Sequence, residues 1–431
     1  MARPPPRPTA RINISGAPNR VKLAPVSQAA PSFLPYGRQA IDDDDIAAVA
    51  AALRSDFLTT GPRVEAFEAA FAEAVGAPHA VACANGTAAL HLAMLALDVK
   101  PGQVCIVPST TFVATANCAR FVGAEVVFAD VDADSGLMTP ATLADALQRA
   151  VGAGRKIAAI LPVHMTGAVV DLPALAALAR EDGAVLIEDA CHAVGSTMDF
   201  ETGPERVGDS RHSAATCFSF HPVKTIATGE GGMVTTGDPR LARRLRAARS
   251  HGLTRDPDSF AQADLAFDGG NDPNPWYYEM AEVGFNYRLP DLLCALGLSQ
   301  LGKLPAFVAR RRALAARYRD LLAPLAPMVR AAHEPAWSRA APHLCVALID
   351  FEAAGRSRRA VMADLQARGI GTQVHYIPVH RQPYYRALEP DLHLPGADAW
   401  YGRCLSLPLF PGMADDDPAR VVEALKEALR L

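Results

Sequence analysis

The chain has 431 residues, 50% of them hydrophobic and 20% charged, with a formal net charge of −4. That length can bury a large core and leaves room for two or three domains, and the charge balance excludes a strongly basic nucleic-acid binder. No run of about 18 apolar residues predicts a membrane-spanning helix. The eight cysteines are scattered without a CxxC pair and read as reduced core residues rather than disulfides or zinc ligands.

Residues 1–30 are rich in Pro, Arg and Ala and lack an apolar signal core, so a disordered leader is expected there. Regular structure should begin near Ile41. In IDDDDIAAVAAAL the acidic run suits a solvated helix start better than a metal site. Gly61-Pro62 interrupts the chain, and Val64, Phe67 and Phe71 then recur at helical spacing. From residue 79 short apolar runs alternate with helical ones. HAVACAN, QVCIVPS, EVVFADVD, KIAAILPVHM and AVLIEDA read as strands. GTAALHLAMLAL, TFVATANCARFVG, ATLADALQRAV and DLPALAALAREDG read as the helices between them. Such alternation predicts an α/β fold with a mainly parallel, right-handed sheet.

Residues 255–283 break this rhythm with a polar, Gly/Pro/Asp-rich insertion, which suggests a functional or interface loop. Leu292 to Leu322 then read as a long helix that Pro305 is expected to kink or divide. A smaller α+β unit follows. In it CVALIDF and TQVHYIPV are predicted strands, RRAVMADLQARG is a predicted helix, and DDDPARVVEALKEALRL is a closing amphipathic helix. There is no internal repeat.

One stretch concentrates chemistry. In CFSFHPVKTIATGEGGMVT a short apolar run leads into a turn holding Lys224, and Gly229, Gly231 and Gly232 then let backbone pass close to a ligand. A lone lysine is usually a solvated surface group. Placed between apolar residues and glycines, Lys224 is a candidate Schiff-base lysine for pyridoxal 5'-phosphate (PLP). AVLIEDACHAVG ends a buried run with Asp189, three residues before His192. A carboxylate at the end of a parallel strand can either cap a helix or pair with the pyridine nitrogen of PLP. In ANGTAAL, Gly86, Thr87 and Ala88 expose amides at a helix start, where a phosphate fits as well as an ordinary cap. Phe112, just past another strand, is either core or a stacking ring. GFNYRLPD and HYIPVHRQPYYR bring amide, aromatic and Arg side chains that suit a sugar and its diphosphate, or simply a solvated loop. His375 and His380 would not share a face of a strand, which argues against zinc.

Together, TTGP, NGTAAL, EDACHAVG, SFHPVKTIATGEGG and GFNYRLPD closely resemble the DegT-type nucleotide-sugar aminotransferases, a fold-type I PLP family, over about residues 33–425. FLPYGRQ, SDFLTTGP, VPSTTFVATAN and HYIPVHRQPYYR are most similar to the branch that works in pseudaminic acid biosynthesis. The resemblance implies a large PLP domain with a mainly parallel seven-stranded sheet over residues 31–290. It implies the long helix and a smaller C-terminal α+β domain over 291–431. It implies PLP held covalently as an aldimine on Lys224, Asp189 on the pyridine nitrogen, His192 on the phenolic oxygen and Phe112 stacked on the ring. Gly86, Thr87, Ala88 and Ser219 would contact the phosphate. Asn286 would reach the phosphate in a neighbouring subunit, making the active unit a homodimer. Tyr36, Asp56, Phe57, Leu58, Thr59, Arg288, His375, Tyr376, Ile377 and Pro378 would contact the nucleotide sugar, and L-glutamate would be the amino donor. The same resemblance implies a cytoplasmic enzyme with no nucleic-acid or membrane partner and no metal. Dehydrating relatives carry histidine in place of the lysine, so Lys224 favours transamination. The alternatives are an aminotransferase for another keto sugar, of the perosamine or 3-amino type, and a PLP-binding regulator without turnover. A purely structural α/β scaffold would leave Lys224, Asp189 and the phosphate turn unexplained.

Overall fold

The structure, a computed structural model, describes residues 33–200, 203–270 and 272–431. The leader expected at 1–30 lies outside the described residues. Seven strands form the central sheet: β1 (His79–Cys83), β2 (Gln103–Pro108), β3 (Glu125–Ala129), β4 (Lys156–Ile160), β5 (Val185–Asp189), β6 (Ala215–Ser219) and β7 (Gly232–Thr236). Their order across the sheet is β1-β7-β6-β5-β4-β2-β3. The pairs β2–β3, β2–β4, β4–β5 and β5–β6 are parallel, and β7 runs antiparallel to both its neighbours.

Helices cover both faces, so consecutive residues of these strands are mostly buried rather than alternately exposed. The period of two instead sorts residues between two cores. Val104 and Ile106 of β2 join one core with Phe67 and Phe71 of helix Pro62–Val75 and with helices Pro140–Gly152 and Leu172–Glu181. Cys105 and Val107 join the other with helices Gly86–Ala96, Val113–Phe121 and Pro239–Arg249. All eight cysteines are free, and seven are buried.

The acidic run caps its helix. Asp42 is the N-cap of Asp43–Leu53 in a reciprocal capping box with Asp45, and Lys303 bridges both carboxylates. The long helix runs unbroken from Asp291 to Leu322, with Pro305 inside it. By length and composition it could cross a bilayer, which a count of uninterrupted apolar residues misses. Here it is the central strut of the fold. Its first half, through Val308, packs in the large-domain core, and Leu314, Tyr318 and Leu322 pack in the C-terminal core. At its start Asp291, fully buried, accepts from the amides of Gly61 (2.7 Å) and Arg63 (3.0 Å), which caps the helix that begins at Pro62.

The C-terminal unit is a three-stranded antiparallel sheet, Val329–Ala331, Cys345–Ile349 and Cys404–Leu407, covered by helices Arg358–Ala367 and Asp417–Leu429. One expected strand is absent: TQVHYIPV is irregular and pairs only at Gln373, opposite Ser406. Its side chains go elsewhere. The His375 ring bonds Ser406 Oγ at 2.7 Å, and the Tyr376 hydroxyl meets His192. The 255–283 insertion folds into a short helix, Ala263–Ala266, and a two-residue ladder between Leu253–Thr254 and Glu279–Met280.

Candidate active site

The carboxyl ends of β1, β2, β5 and β6 share one edge of the sheet, where open α/β sheets bind ligands. A cavity of about 640 Å³ opens there. Tyr36, Gly86, Thr87, Phe112, Asp189, His192, Ser219, Lys224, His375, Tyr376 and Ile377 line it, eleven of the residues singled out from sequence.

The Lys224 segment is the connection from β6 to β7. Its neck is closed by Phe220 N–H to Gly231 O at 2.8 Å and Thr228 N–H to Phe220 O at 2.9 Å. The glycines serve this loop differently from what the sequence suggested. A Cβ on Gly232 would stand 2.4 Å from Asn85 O, so β7 closes on the chain's own backbone rather than on a ligand. Lys224 is half-buried, and burial lowers its ammonium pKa, with the Cys191 and Asp189 side chains acting in the opposite sense. A larger fraction of the amine is therefore the free base that a proton carrier needs.

Asp189 ends β5 and is 5% exposed. One carboxylate oxygen accepts from Thr115 Oγ1 at 2.6 Å, and the other accepts from the Cys191 amide at 3.1 Å. The buried anion is thus held by two donors and aimed into the cavity. The motif reading did not pick out Thr115. Its signal was its position three residues after Phe112, on the same helical turn.

Helix Gly86–Ala96 starts beside them. Asn85 is its N-cap, and its side chain accepts from the Ala88 amide at 2.8 Å. That leaves the Gly86 and Thr87 amides as the anion-facing donors of the first turn, while Ala88 is already partnered. A Cβ on Gly86 would lie 2.9 Å from Ser219 Cβ and 3.2 Å from Cys191 Sγ, so only glycine permits this approach.

His192 Nε2 and the Tyr376 hydroxyl are 3.1 Å apart. Burial, then the positive charges of Lys224 and His375, push the His192 pKa well below its ordinary value, so the ring is neutral. Its Nδ1 is buried without a partner. Burial, assisted by the Lys224 charge, pushes His375 down to about 3. Tyr36 packs its ring on His375 at 5.3 Å, and Phe112 lies 6.0 Å from Tyr376. His343, which the motifs gave no reason to choose, also lines the cavity and packs against His192 with ring centroids 4.4 Å apart and the planes tilted by 51°.

The remaining predicted residues do not line the cavity of this chain. Asp56, Phe57, Leu58, Thr59 and Asn286 are exposed, Arg288 is half-buried, and Pro378 sits just beyond Ile377. A cavity of about 730 Å³ elsewhere, between the long helix and residues 329–346, contains none of them. Among the described residues no cluster of His, Cys, Asp and Glu could hold a metal.

PLP fits the residues present. A glycine turn with free amides, a buried strand-end carboxylate, a lysine of lowered pKa and an unpartnered buried histidine nitrogen line one cavity. The fold and this site define a PLP-dependent transaminase. Residues 39–426 match the DegT/DnrJ/EryC1/StrS aminotransferase family, and the chain belongs to it. Solved structures agree. PseC from Helicobacter pylori, an aminotransferase of pseudaminic acid biosynthesis, is 27% identical with a TM-score of 0.81, the match covering 93% of this chain and 100% of that one. The aminotransferase TlmJ from Streptoalloteichus hindustanus is 30% identical with a TM-score of 0.81 over 93% and 99%. Spr1654 from Streptococcus pneumoniae, solved in a PLP-form and a PMP-form, is 26% identical with a TM-score of 0.80 over 92% of this chain, and over 99% of its own chain in the PLP-form and 98% in the PMP-form.

Proposed function

We propose that this sugar aminotransferase moves the amino group of L-glutamate to C4 of a UDP-4-keto-6-deoxy-N-acetylhexosamine. The product is UDP-4-amino-4,6-dideoxy-N-acetyl-β-L-altrosamine, a precursor of pseudaminic acid. The observation that carries the chemistry is the convergence of Lys224, Asp189 and the Gly86–Thr87 turn on one cavity. The choice of sugar rests on the likeness to PseC and on the HYIP segment, whose His375, Tyr376 and Ile377 line that cavity. TlmJ is as similar in structure, which favours a second reading, the same transfer to another nucleotide-linked keto sugar.

Bound PLP supplies the electron sink for a carbanion at the donor's alpha carbon. The protein's own groups do the rest. Lys224 carries a proton between that alpha carbon and C4′ of the cofactor, and its lowered pKa keeps the amine available. Asp189, held by Thr115 and the Cys191 amide, pairs with the ring nitrogen and keeps it protonated. The Gly86 and Thr87 amides and the Ser219 hydroxyl bind the phosphate, with Ala88 shaping the turn. Phe112 would supply a stacking face for the ring, and neutral His192 would bond its phenolic oxygen. Tyr36 and residues 375–378 read the sugar.

The working unit is a homodimer. Asn286 acts across the subunit boundary on the neighbouring cofactor's phosphate, which fits its exposed place outside this chain's cavity. The exposed Trp276, Met280 and Val283 near Asn286 support a buried interface there. Eight free thiols fit the reducing cytoplasm.

Purified protein with PLP, glutamate and a panel of UDP-, GDP- and dTDP-4-keto sugars tests the substrate by mass spectrometry of the amine. Activity confined to GDP- or dTDP-sugars refutes the UDP reading and leaves the transaminase standing. Lys224→Ala should lose both the lysine-linked cofactor absorbance and turnover, and a retained band would overturn the lysine's role.

A further inference from the structure

Three consecutive arginines, Arg310 to Arg312, sit where the long helix passes from one core to the other. Arg310 donates to Met413 O at 2.5 Å, and Arg312 donates to Ala340 O at 2.7 Å and Arg339 O at 2.8 Å. Arg311 between them is fully buried. Its Nη1 reaches three carbonyls, Pro342 and His343 at 3.3 Å each and Leu409 at 3.0 Å. Its Nε and Nη2 have no partner, and no nearby carboxylate opposes the effect of burial on it. A buried cation without a counter-ion is costly, and an apolar side chain of similar volume would stabilise the fold at least as well. Core packing therefore gives no reason for an arginine here.

Two of the three carbonyls give one, because His343 lines the cavity and Leu409 pairs with Tyr36, which also lines it. His343 packs against His192 with ring centroids 4.4 Å apart. Its amide side is fixed by donation to Thr166 O at 2.8 Å, and its carbonyl side by Arg311. Leu409 donates its N–H to Tyr36 O at 3.0 Å, and Tyr36 packs on His375. One guanidinium thus anchors the His343 wall and the Tyr36–His375 wall together. Lys224, Asp189, His192 and Gly86 are held by β1, β5, β6 and their loops, His192 by the turn after β5 that Ala193 N–H closes onto Ala190 O at 2.9 Å.

We infer that Arg311 is a positioning residue that sets the distance between these two walls, and so the fit of the large nucleotide-sugar acceptor rather than the small amino donor. This rests on the keto-sugar reading above. The test uses the full-length holoenzyme carrying Arg311→Met, with the two half-reactions followed separately in single turnovers. Cofactor loading and the lysine-linked absorbance stay as in the unmodified protein. The glutamate half-reaction stays within about twofold, and KM for the keto sugar rises about tenfold, the scale of a sub-ångström misplacement. Arg311→Lys, which keeps one donor, recovers part of the loss. A crystal structure of Arg311→Met shows the Tyr36 carbonyl and the His343 ring displaced. An unchanged keto-sugar half-reaction overturns the inference, as does an equal loss in both halves accompanied by a lower melting temperature. If the Met variant does not fold, the same split is read on Arg311→Lys, and an unsplit loss there overturns it too. If the unmodified protein aminates no nucleotide keto sugar, the function reading falls. The crystal structure then decides the role of Arg311, and undisplaced walls refute it.

Discussion

Gly86→Ala probes the point where the helix start meets the Lys224 strand. The added Cβ would stand 2.9 Å from Ser219 Cβ, 3.2 Å from Cys191 Sγ and 3.3 Å from Ser219 Oγ. Carbon atoms prefer roughly 3.5–4.0 Å, so the first turn must withdraw from Ser219 and take the Gly86 and Thr87 amides with it. Overpacking of this kind costs about 1–3 kcal/mol. At 1.4 kcal/mol per tenfold, that is about a 5- to 140-fold loss of PLP affinity if all of it falls on the cofactor site. Any part paid before PLP binds appears instead as a lower melting temperature of the apoprotein. PLP titration followed by absorbance, with thermal melts of the apo form, measures both parts. Gly86 does not have a positive φ, so the effect is one of volume, and a second substitution, Ser219→Gly, should restore the apo melting temperature. Unchanged affinity together with an unchanged melt in Gly86→Ala would refute the close approach.

The remaining expectations concern charge and packing. Asp189→Asn keeps the volume and the Thr115 contact but removes the anion, so turnover should fall on the order of 10²–10³-fold while the cofactor still binds, and steady-state kinetics reads the difference. For Glu188, burial acts to raise the pKa. Hydrogen bonds from His164 at 2.8 Å, and from Ser213 and Thr216, outweigh it and hold the carboxyl below its ordinary 4.5. A depressed carboxylate stabilises the fold above its unfolded pKa, and that contribution is lost as pH falls through 4.5 towards the folded value. Urea melts at neutral and acidic pH should show this slope, flattened in Glu188→Gln. In the long helix, Gly302 has open space where a Cβ would go, whereas a Cβ on Gly297 would meet Phe67 Cζ at 2.7 Å. Gly302→Ala should therefore stabilise by about 0.5–1 kcal/mol, and Gly297→Ala should destabilise by about 1–3 kcal/mol. Equal shifts in the two denaturation curves would contradict that packing.

What was legible in the sequence was local. Strand–helix alternation, Gly61-Pro62 before a helix and Asp42 before an acidic first turn each report the backbone's immediate preferences, and each element formed. Lys224, Asp189 and the Gly86 turn were legible because each lies within a few residues of the strand end that carries it. HYIP was misjudged as a strand because apolar alternation was counted without its hydrogen-bond partners. Among the described residues only Ser406 pairs opposite Gln373, the His375 and Tyr376 side chains instead find Ser406 and His192, and the His375 carbonyl accepts from the Trp400 indole.

Sequence by itself thus picked out groups that the fold gathers on one cavity, and the strand-and-helix order that delivers them. Tertiary structure decided which distant groups hold them. Asp291 caps a helix begun 229 positions earlier, His380 bonds Ser109 across 271 positions at 2.6 Å, and His343 meets His192 across a similarly long stretch of chain. Such pairings leave no periodic trace, since they depend on the order of strands in the sheet and on the packing of whole elements, not on the spacing of neighbours along the chain.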